Sequence, residues 1–343
     1  MKLQLLVPQY KEDEKTIKPL LDSIAIQRAI DFSDIGMIIV NDGTDVLLGK
    51  DFLQSYPFKI EYYQVSHRGV SAARNFALRL ATADYVMFCD SDDKFYGDIG
   101  LWYILRDIRE GGGFDLLQSE FLEEIKLPDG SFIFHPRAND PVFVHGKVYR
   151  REYLRHNRIF FDERLSIHED ANFNGLALQL GKNVKVASFV YYMWCWRDDS
   201  TVRLDPLFGL KEYHKAIDNR ILLIEECLER ALPDKASYFA GQMIYDMFKT
   251  SLDPRWASMK DTLAETKDIL LEKEFKFYSR FRKYLYIVPK EICSFWLKGI
   301  REALFVKETT QEQVEGLFDR WLEKLKNKEW LEQNSEIGEK KDG

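Results

Sequence analysis

Tyr85-Val86-Met87-Phe88-Cys89-Asp90-Ser91-Asp92-Asp93 is the stretch that decides how this chain is read. An apolar run bounded by polar residues is the pattern of a buried strand. Here the run ends abruptly in acids. Carboxylates packed this closely repel one another, and a divalent cation among them relieves the repulsion. Oxygen ligands suit Mg²⁺ or Mn²⁺, which also bind diphosphates. A solvated acidic turn is the ordinary alternative. The company the strand keeps decides between the two, because ligands of open α/β sheets bind outside the carboxyl ends of the strands.

The same grammar recurs on either side. Leu3–Val7, Met37–Val40 and Ile60–Val65 are short apolar or β-branched runs, and Glu14–Ala29, Asp51–Tyr56 and Val70–Ala81 read as helices between them. Strands alternating with helices predict an α/β fold, Rossmann-like, with a mostly parallel sheet flanked by helices. Chemistry-bearing residues follow each run. In Val7-Pro8-Gln9-Tyr10-Lys11-Glu12, Tyr10 can stack on a base or serve as an edge aromatic. In Met37-Ile38-Ile39-Val40-Asn41-Asp42-Gly43-Thr44, the Asp42 carboxylate can accept the N–H of a base, and the same residues also suit an ordinary turn. His67-Arg68-Gly69-Val70-Ser71-Ala72-Ala73-Arg74-Asn75 opens a helix, with Gly69 permitting a tight entry and Ser71 able to cap. Arg68 and Arg74 fall where a diphosphate would sit; a plain surface arginine is the alternative for Arg68.

Farther along, Phe114 to Val144 reads as strands around the turn Pro128-Asp129-Gly130, Glu169–Leu180 as a helix, and Val184–Trp196 as one final buried strand. After Asp205 strand signals vanish and long helical patterns dominate. The expected organisation is a first domain over 1–204, an all-helical module over 205–333 and a frayed polar tail over 334–343.

Composition bounds the function. The 343 residues suffice for one large domain and a smaller addition, at roughly 100–200 residues per domain. A net charge of −7 argues against general nucleic-acid binding, which needs a basic face. Cys89, Cys195, Cys227 and Cys293 form no Cys-x-x-Cys pair, which argues against a zinc ribbon or a thioredoxin-like motif. Their scatter and the lack of a leader favour reduced thiols in a cytoplasm. No uncharged run approaches the ~20 residues needed to span a bilayer, so any membrane contact would be peripheral, at the inner face of the plasma membrane.

The four motifs, in this order, resemble the nucleotide-binding half of family-2 glycosyltransferases with the GT-A fold. That family's pattern is Val-Pro-x-Tyr-Asn, then Asp-Asp-Gly-Ser or Asn-Asp-Gly-Ser, then Asn-x-Gly-x-Ser-x-Ala-Arg-Asn, then an Asp-x-Asp cluster. The resemblance covers roughly residues 1–204, with Lys11 in place of the usual Asn and His67-Arg68 in place of Asn-x. It implies a nucleotide-diphosphate sugar donor, a UDP-sugar above all, and a Mn²⁺ or Mg²⁺ cofactor. Pro8, Tyr10 and Asp42 would contact the base, Asp90 would lie near the ribose and the metal, and Asp92 would ligate the metal, with Asp93 behind it. Glu12, Arg68, Gly69, Arg74 and Ser91 would complete the donor site.

The segment around Lys147 matches a family stretch between donor and acceptor sites, and Lys147 and His168 would meet the acceptor. Glu169-Asp170 matches the family pair whose aspartate is the base of inverting members. Acids in the first turn of a helix are also favoured by its dipole. In Trp194-Cys195-Trp196-Arg197-Asp198-Asp199-Ser200-Thr201-Val202-Arg203, Arg197, Ser200 and Arg203 would contact the diphosphate. The expected activity is metal-dependent, inverting transfer to a hydroxyl of a glycan, lipid-linked or glycoprotein acceptor, in surface polysaccharide or glycoconjugate synthesis. The rivals are a sugar nucleotidyltransferase, disfavoured because Pro8–Asp13 lacks a glycine-rich phosphate loop, and a catalytically inactive nucleotide-sugar-binding protein.

No motif marks residues 206–343. Over 276–305, Lys276, Arg280, Arg282, Lys283, Lys290, Lys298 and Arg301 interleave with aromatics. That pattern reads either as a membrane-surface patch or as the core of a helical module. Gln311–Leu331 reads as a last helix with its apolar face on the module or on a second copy of the chain, in a homodimer.

Overall fold

Strands buried on both faces read as unbroken apolar runs, and helices must cover both faces to bury them. That is how the centre of this protein is built. In a computed structural model, which describes residues 1–110, 112–187, 189–198, 200, 208, 212–251, 284, 297–298 and 310–326, β1 (Leu3–Gln9), β2 (Ile35–Asp42), β3 (Lys59–Val65) and β4 (Tyr85–Phe88) pair in parallel in the order β4-β1-β2-β3. Every residue of β2 is buried. Helix α1 (Glu14–Ala25) brings Ile17, Leu20, Leu21 and Ile24 to the core that holds Leu3, Leu5, Val7, Met37 and Ile39. Asp13 caps α1, its carboxylate accepting the Thr16 N–H at 2.9 Å. The short α2 (Lys50–Gln54) joins β2 to β3, and α3 (Val70–Leu80) contacts β1 and β2 with its small Ala72, Ala73 and Ala77 buried.

The sheet continues beyond β4 through β9 (Lys147–Arg150), β6 (Leu116–Gln118) and β10 (Val184–Val186), giving seven strands of which only β9 runs against the rest. Helix α4 (Gly100–Glu110) precedes β6, α5 (Arg151–His156) follows β9, and α6 (Glu169–Leu180) follows in turn. The fold is thus the mostly parallel, helix-flanked sheet that the sequence predicts. A second sheet of four strands has the order β5-β11-β7-β8, formed by β5 (Lys94–Phe95), β11 (Tyr192–Trp194), β7 (Phe121–Lys126) and β8 (Phe132–Arg137). Its hairpin turns at the expected Pro128-Asp129-Gly130, with Gly130 at φ +85°.

One expectation is corrected. Val184–Trp196 is not a single strand: β10 joins the large sheet beside β6, and β11 joins the small one between β5 and β7. The reason lies in backbone pairing: Val184–Val186 continues the parallel ladder of β6, whereas Tyr192–Trp194 finds its partners in β5 and β7. The crossing delivers Tyr192 to the end of β4.

The chain divides into two units, Met1–Ser200 and Thr201–Gly343. In the second, α7 (Tyr213–Glu229) and α8 (Pro233–Ser251) form a helical hairpin, and Phe248 of α8 stacks edge-on with Phe318 of α9 (Gln311–Lys326) at 5.2 Å. Val314 and Phe318 lie on the buried face of α9, as its apolar pattern predicts. The basic-aromatic stretch 276–305 lies outside the described residues except for Tyr284, Leu297 and Lys298, and the tail 334–343 lies outside them entirely. No helix among the described residues is long and apolar enough to cross a membrane.

The tightest backbone approach in the first unit lies at the end of β2. Gly43 has φ +74°, and a Cβ there would meet the backbone nitrogen of His67 at 2.3 Å. Gly43→Ala therefore combines left-handed strain with a clash against main chain. It is expected to destabilise the protein by on the order of 1–3 kcal/mol, read as a lower urea midpoint.

Candidate active site

The carboxyl ends of β1, β2 and β4 and the N-termini of α3 and α6 converge on one cluster of charge. Its centre is Arg74, on the second turn of α3. The side chain is only 4% exposed, and its guanidinium spans three carboxylates: Nη2 donates to Asp90 at 2.9 Å, and Nη1 to Asp170 at 2.6 Å and Glu169 at 3.1 Å. Its face lies 5.2 Å from the Phe161 ring centroid. One arginine thus ties the end of β4 to the start of α6. The sequence places Arg74 at a diphosphate; the structure spends its terminal nitrogens on carboxylates.

The acids after β4 have different surroundings. Asp90 keeps 29% of its side chain exposed, and although burial opposes ionisation, Arg74 and His145 hold its pKa below the usual value. Burial and the neighbouring Asp90 raise that of Asp92, which accepts from Arg197 Nη1 at 2.9 Å. Asp93 points inward. It accepts the Tyr192 hydroxyl at 2.7 Å and the Cys195 N–H at 2.9 Å, and burial, then Asp90 and Asp92, push its pKa well up. Ser91 between them is buried.

Arg197 also reaches Glu12 at 3.1 Å, so it bridges the loop after β1 to the acids after β4. Ser200 follows, its N–H on the Arg197 carbonyl, while Arg203 lies outside the described residues.

At the end of β2, Asp42 is a loop clamp. Its oxygens accept the backbone N–H groups of Arg68 and Gly69, each at 2.9 Å, and the His67 Nδ1 contact at 2.8 Å. Gly69, at φ +91°, starts α3. The carboxylate expected to read a base is thus occupied by the loop before α3. Tyr10, 40% exposed, stacks on the His67 ring at 4.7 Å. Pro8, in β1, lies beside Val40. Arg68 pairs with Glu163 at 2.6 Å on the surface.

On the opposite side, α6 begins after His168, whose φ of +64° is left-handed. Asp170 is buried in the first turn, one oxygen on Arg74 and the other accepting the Val144 N–H at 3.2 Å. Burial dominates its environment, and against the pull of Arg74 its pKa rises to about 7. That value suits a general base at neutral pH. Lys147, expected at the acceptor, is instead only 1% exposed, its ammonium donating to the Phe143 carbonyl. Burial lowers its pKa to about 8. It belongs to the core beneath the site because β9, which carries it, is sandwiched between β4 and β6.

Residues that sequence reasoning did not assign complete the picture. Asn75 exchanges hydrogen bonds with the Phe161 main chain, both at 2.9 Å, and fixes the loop leading to α6. His145 lies within reach of Asp90 and Asp93, and the ligand atoms of these three residues all fall within 4.8 Å of one another. Burial lowers the His145 pKa to about 4, so its imidazole is neutral. Oxygen donors plus a neutral imidazole fit Mn²⁺ or Mg²⁺. The fit also follows from charge: among the described residues, Arg74 and Arg197 pair with Glu12, Asp90, Asp92, Glu169 and Asp170, two cations for five carboxylates. An anionic donor could approach such a cluster only if more positive charge joined it.

Comparison with known proteins agrees with this geometry. Residues 5–110 match the family described as "Glycosyl transferase family 2". The match spans β1 through α4. It is 28% identical over 333 residues to a poly(ribitol-phosphate) beta-glucosyltransferase of Bacillus spizizenii, covering 90% of this chain and 48% of that one. It is 28% identical over 244 residues to the Staphylococcus aureus poly(ribitol-phosphate) beta-N-acetylglucosaminyltransferase TarS, covering 66% and 40%. The chain spans about half the length of these curated relatives. The crystal structure of S. aureus TarS 1–349 in complex with UDP-GlcNAc superposes with a TM-score of 0.62 at 19% identity, over 95% of this chain and 90% of that one. The fold is therefore GT-A.

Removing the central guanidinium tests the cluster. Arg74→Met leaves buried carboxylates without their counter-charge, and breaking a buried pair from one side costs about 3–5 kcal/mol. A drop of that size in unfolding free energy is expected at pH 7. Arg74→Lys should recover only part of it, because a point charge cannot fork to three carboxylates.

Proposed function

We propose that this protein transfers a sugar from a UDP-sugar to a hydroxyl of a cell-surface glycopolymer, with a divalent cation and with inversion at the anomeric carbon. The observation that carries the reading is the bridge through Arg74, which sets a buried carboxylate with a pKa of about 7, Asp170, across from the acids that end β4. The curated relatives named for poly(ribitol-phosphate) glycosylation, and a TarS structure with UDP, support the donor and acceptor classes.

In this reading Tyr10 and His67 flank the base and Arg197 and Ser200 meet the diphosphate. Mn²⁺ or Mg²⁺, held by Asp90 and Asp92, supplies charge that offsets the diphosphate. Asp170 takes the proton from the acceptor hydroxyl as its oxygen attacks C1, from the face opposite the leaving diphosphate. Glu169 shares Arg74 with Asp170 and helps to hold the base in place. His168, at the entrance to α6, lies where the acceptor would arrive.

The decisive experiment compares variants against UDP-sugars. Asp170→Asn should bind UDP normally and lose transfer by on the order of 10²–10⁴-fold, the contribution of a positioned base. Asp92→Asn should weaken UDP binding in Mn²⁺ as well, and EDTA should abolish transfer by wild type. Near-normal turnover by Asp170→Asn, or a product of retained configuration by NMR, would overturn the assignment.

The pH profile gives an independent readout. A base works deprotonated, so kcat should be level above a pH of about 7 and fall about tenfold per unit below it. An acid limb centred near pH 4 would mean that another carboxylate is the base.

A further inference from the structure

His145 is a buried polar side chain whose role the transfer reaction, as derived above, leaves open. It follows the apolar Val142-Phe143-Val144 and precedes Gly146, whose left-handed φ of +66° sets the turn into β9. The side chain is 4% exposed and packed among Phe121, Phe143, Tyr192 and Trp194, at ring separations of 5.3, 5.5, 5.3 and 5.6 Å. An imidazole in an aromatic enclosure needs partners for its nitrogens. Nδ1 has none at hydrogen-bonding distance. The nearest acids are set on two sides of the ring: Asp93 Oδ2 lies 3.6 Å from Nδ1, and Asp90 Oδ2 lies 3.6 Å from Nε2.

This is the order found around metal-bound histidines, in which a carboxylate accepts the N–H on one side and fixes the tautomer that offers a lone pair on the other. Asp93 is well placed for the outer role, because the Tyr192 hydroxyl and the Cys195 N–H anchor its two oxygens. Tyr192 also accepts the Asp90 N–H at 3.0 Å, so one phenol aligns both acids. Asp90 gives Oδ1 to Arg74, and its Oδ2 faces the imidazole.

We propose that His145 contributes a nitrogen ligand, Nε2, to the divalent cation at the end of β4, beside Asp90 and with Asp93 as the carboxylate that orients the ring. The proposal rests on the cation-dependent reading above. It adds a nitrogen to what would otherwise be an all-oxygen site, and so favours Mn²⁺ over Mg²⁺, since imidazole suits transition ions and Mg²⁺ prefers oxygen.

Pulsed EPR of the protein loaded with Mn²⁺ and UDP tests this without reference to turnover. Wild type should show a directly coordinated ¹⁴N, replaced by the ¹⁵N pattern when the protein is labelled with ¹⁵N-histidine. The coupling should vanish in His145→Gln and persist in His168→Gln. Asp93→Asn should keep the coupling while weakening Mn²⁺ affinity by about 10–100-fold, the usual effect of losing an outer partner. Bound Mn²⁺ without nitrogen coupling in wild type, which needs no variant to fold, would overturn the ligand assignment and leave the transfer reading intact. Coupling that survives in His145→Gln would do the same. Failure of wild type to bind Mn²⁺ with UDP present would overturn both.

Discussion

A guanidinium buried between three carboxylates is the constraint on which this site depends. Arg74 cannot lose its proton, and its three carboxylate partners come from two segments far apart in sequence, one after β4 and one at the start of α6. Burying so much charge is unfavourable unless every partner stays in place. The arrangement therefore acts as a condition on assembly: the end of β4 and the start of α6 must arrive together for the helix α3 that carries Arg74 to settle on the sheet. Asn75, the next residue on α3, reinforces the condition by locking the main chain at Phe161. Two successive side chains of one helix thus fix the distance between the end of β4 and the start of α6.

The same economy of parts appears around Tyr192. Because the chain leaves the large sheet after β10 and re-enters the small one at β11, a phenol from one sheet bonds two of the three acids that follow a strand of the other. The small sheet is thereby a support for the acids as well as a cover for the core. Arg197, a few residues beyond Tyr192, closes the mouth by linking Glu12 to Asp92.

Much of this was legible in the sequence, for a physical reason. Central parallel strands are buried on both faces, so β1, β2 and β4 show as continuous apolar runs, and the acids that end them follow directly. Helix α6 was readable to the residue, Glu169–Leu180, because acids mark its first turn and glycine its exit. What local pattern could not show was partner choice. Nothing in Val184–Trp196 tells that its halves pair in different sheets, and nothing near Asp42 tells that the carboxylate is taken by the backbone before α3. Nor does the sequence around Lys147, read as an acceptor contact, tell that β9 is an interior strand. For His145 a signal did exist: a lone imidazole directly after an apolar run, ahead of a glycine, is a polar group headed for the interior, and an interior polar group needs a reason.

The left-handed backbone at His168 carries a consequence for how this sequence can drift. With φ at +64°, the position tolerates glycine, asparagine, aspartate or histidine far better than any other residue, and excludes valine and isoleucine. The residue that opens α6 is therefore restricted by main-chain shape before chemistry is considered. Exchange for glycine would ease the backbone and also loosen the first turn that aims Asp170. Of the residues the shape allows, histidine is the bulkiest, so exchange for asparagine or aspartate would open space at the start of α6 while keeping the backbone shape.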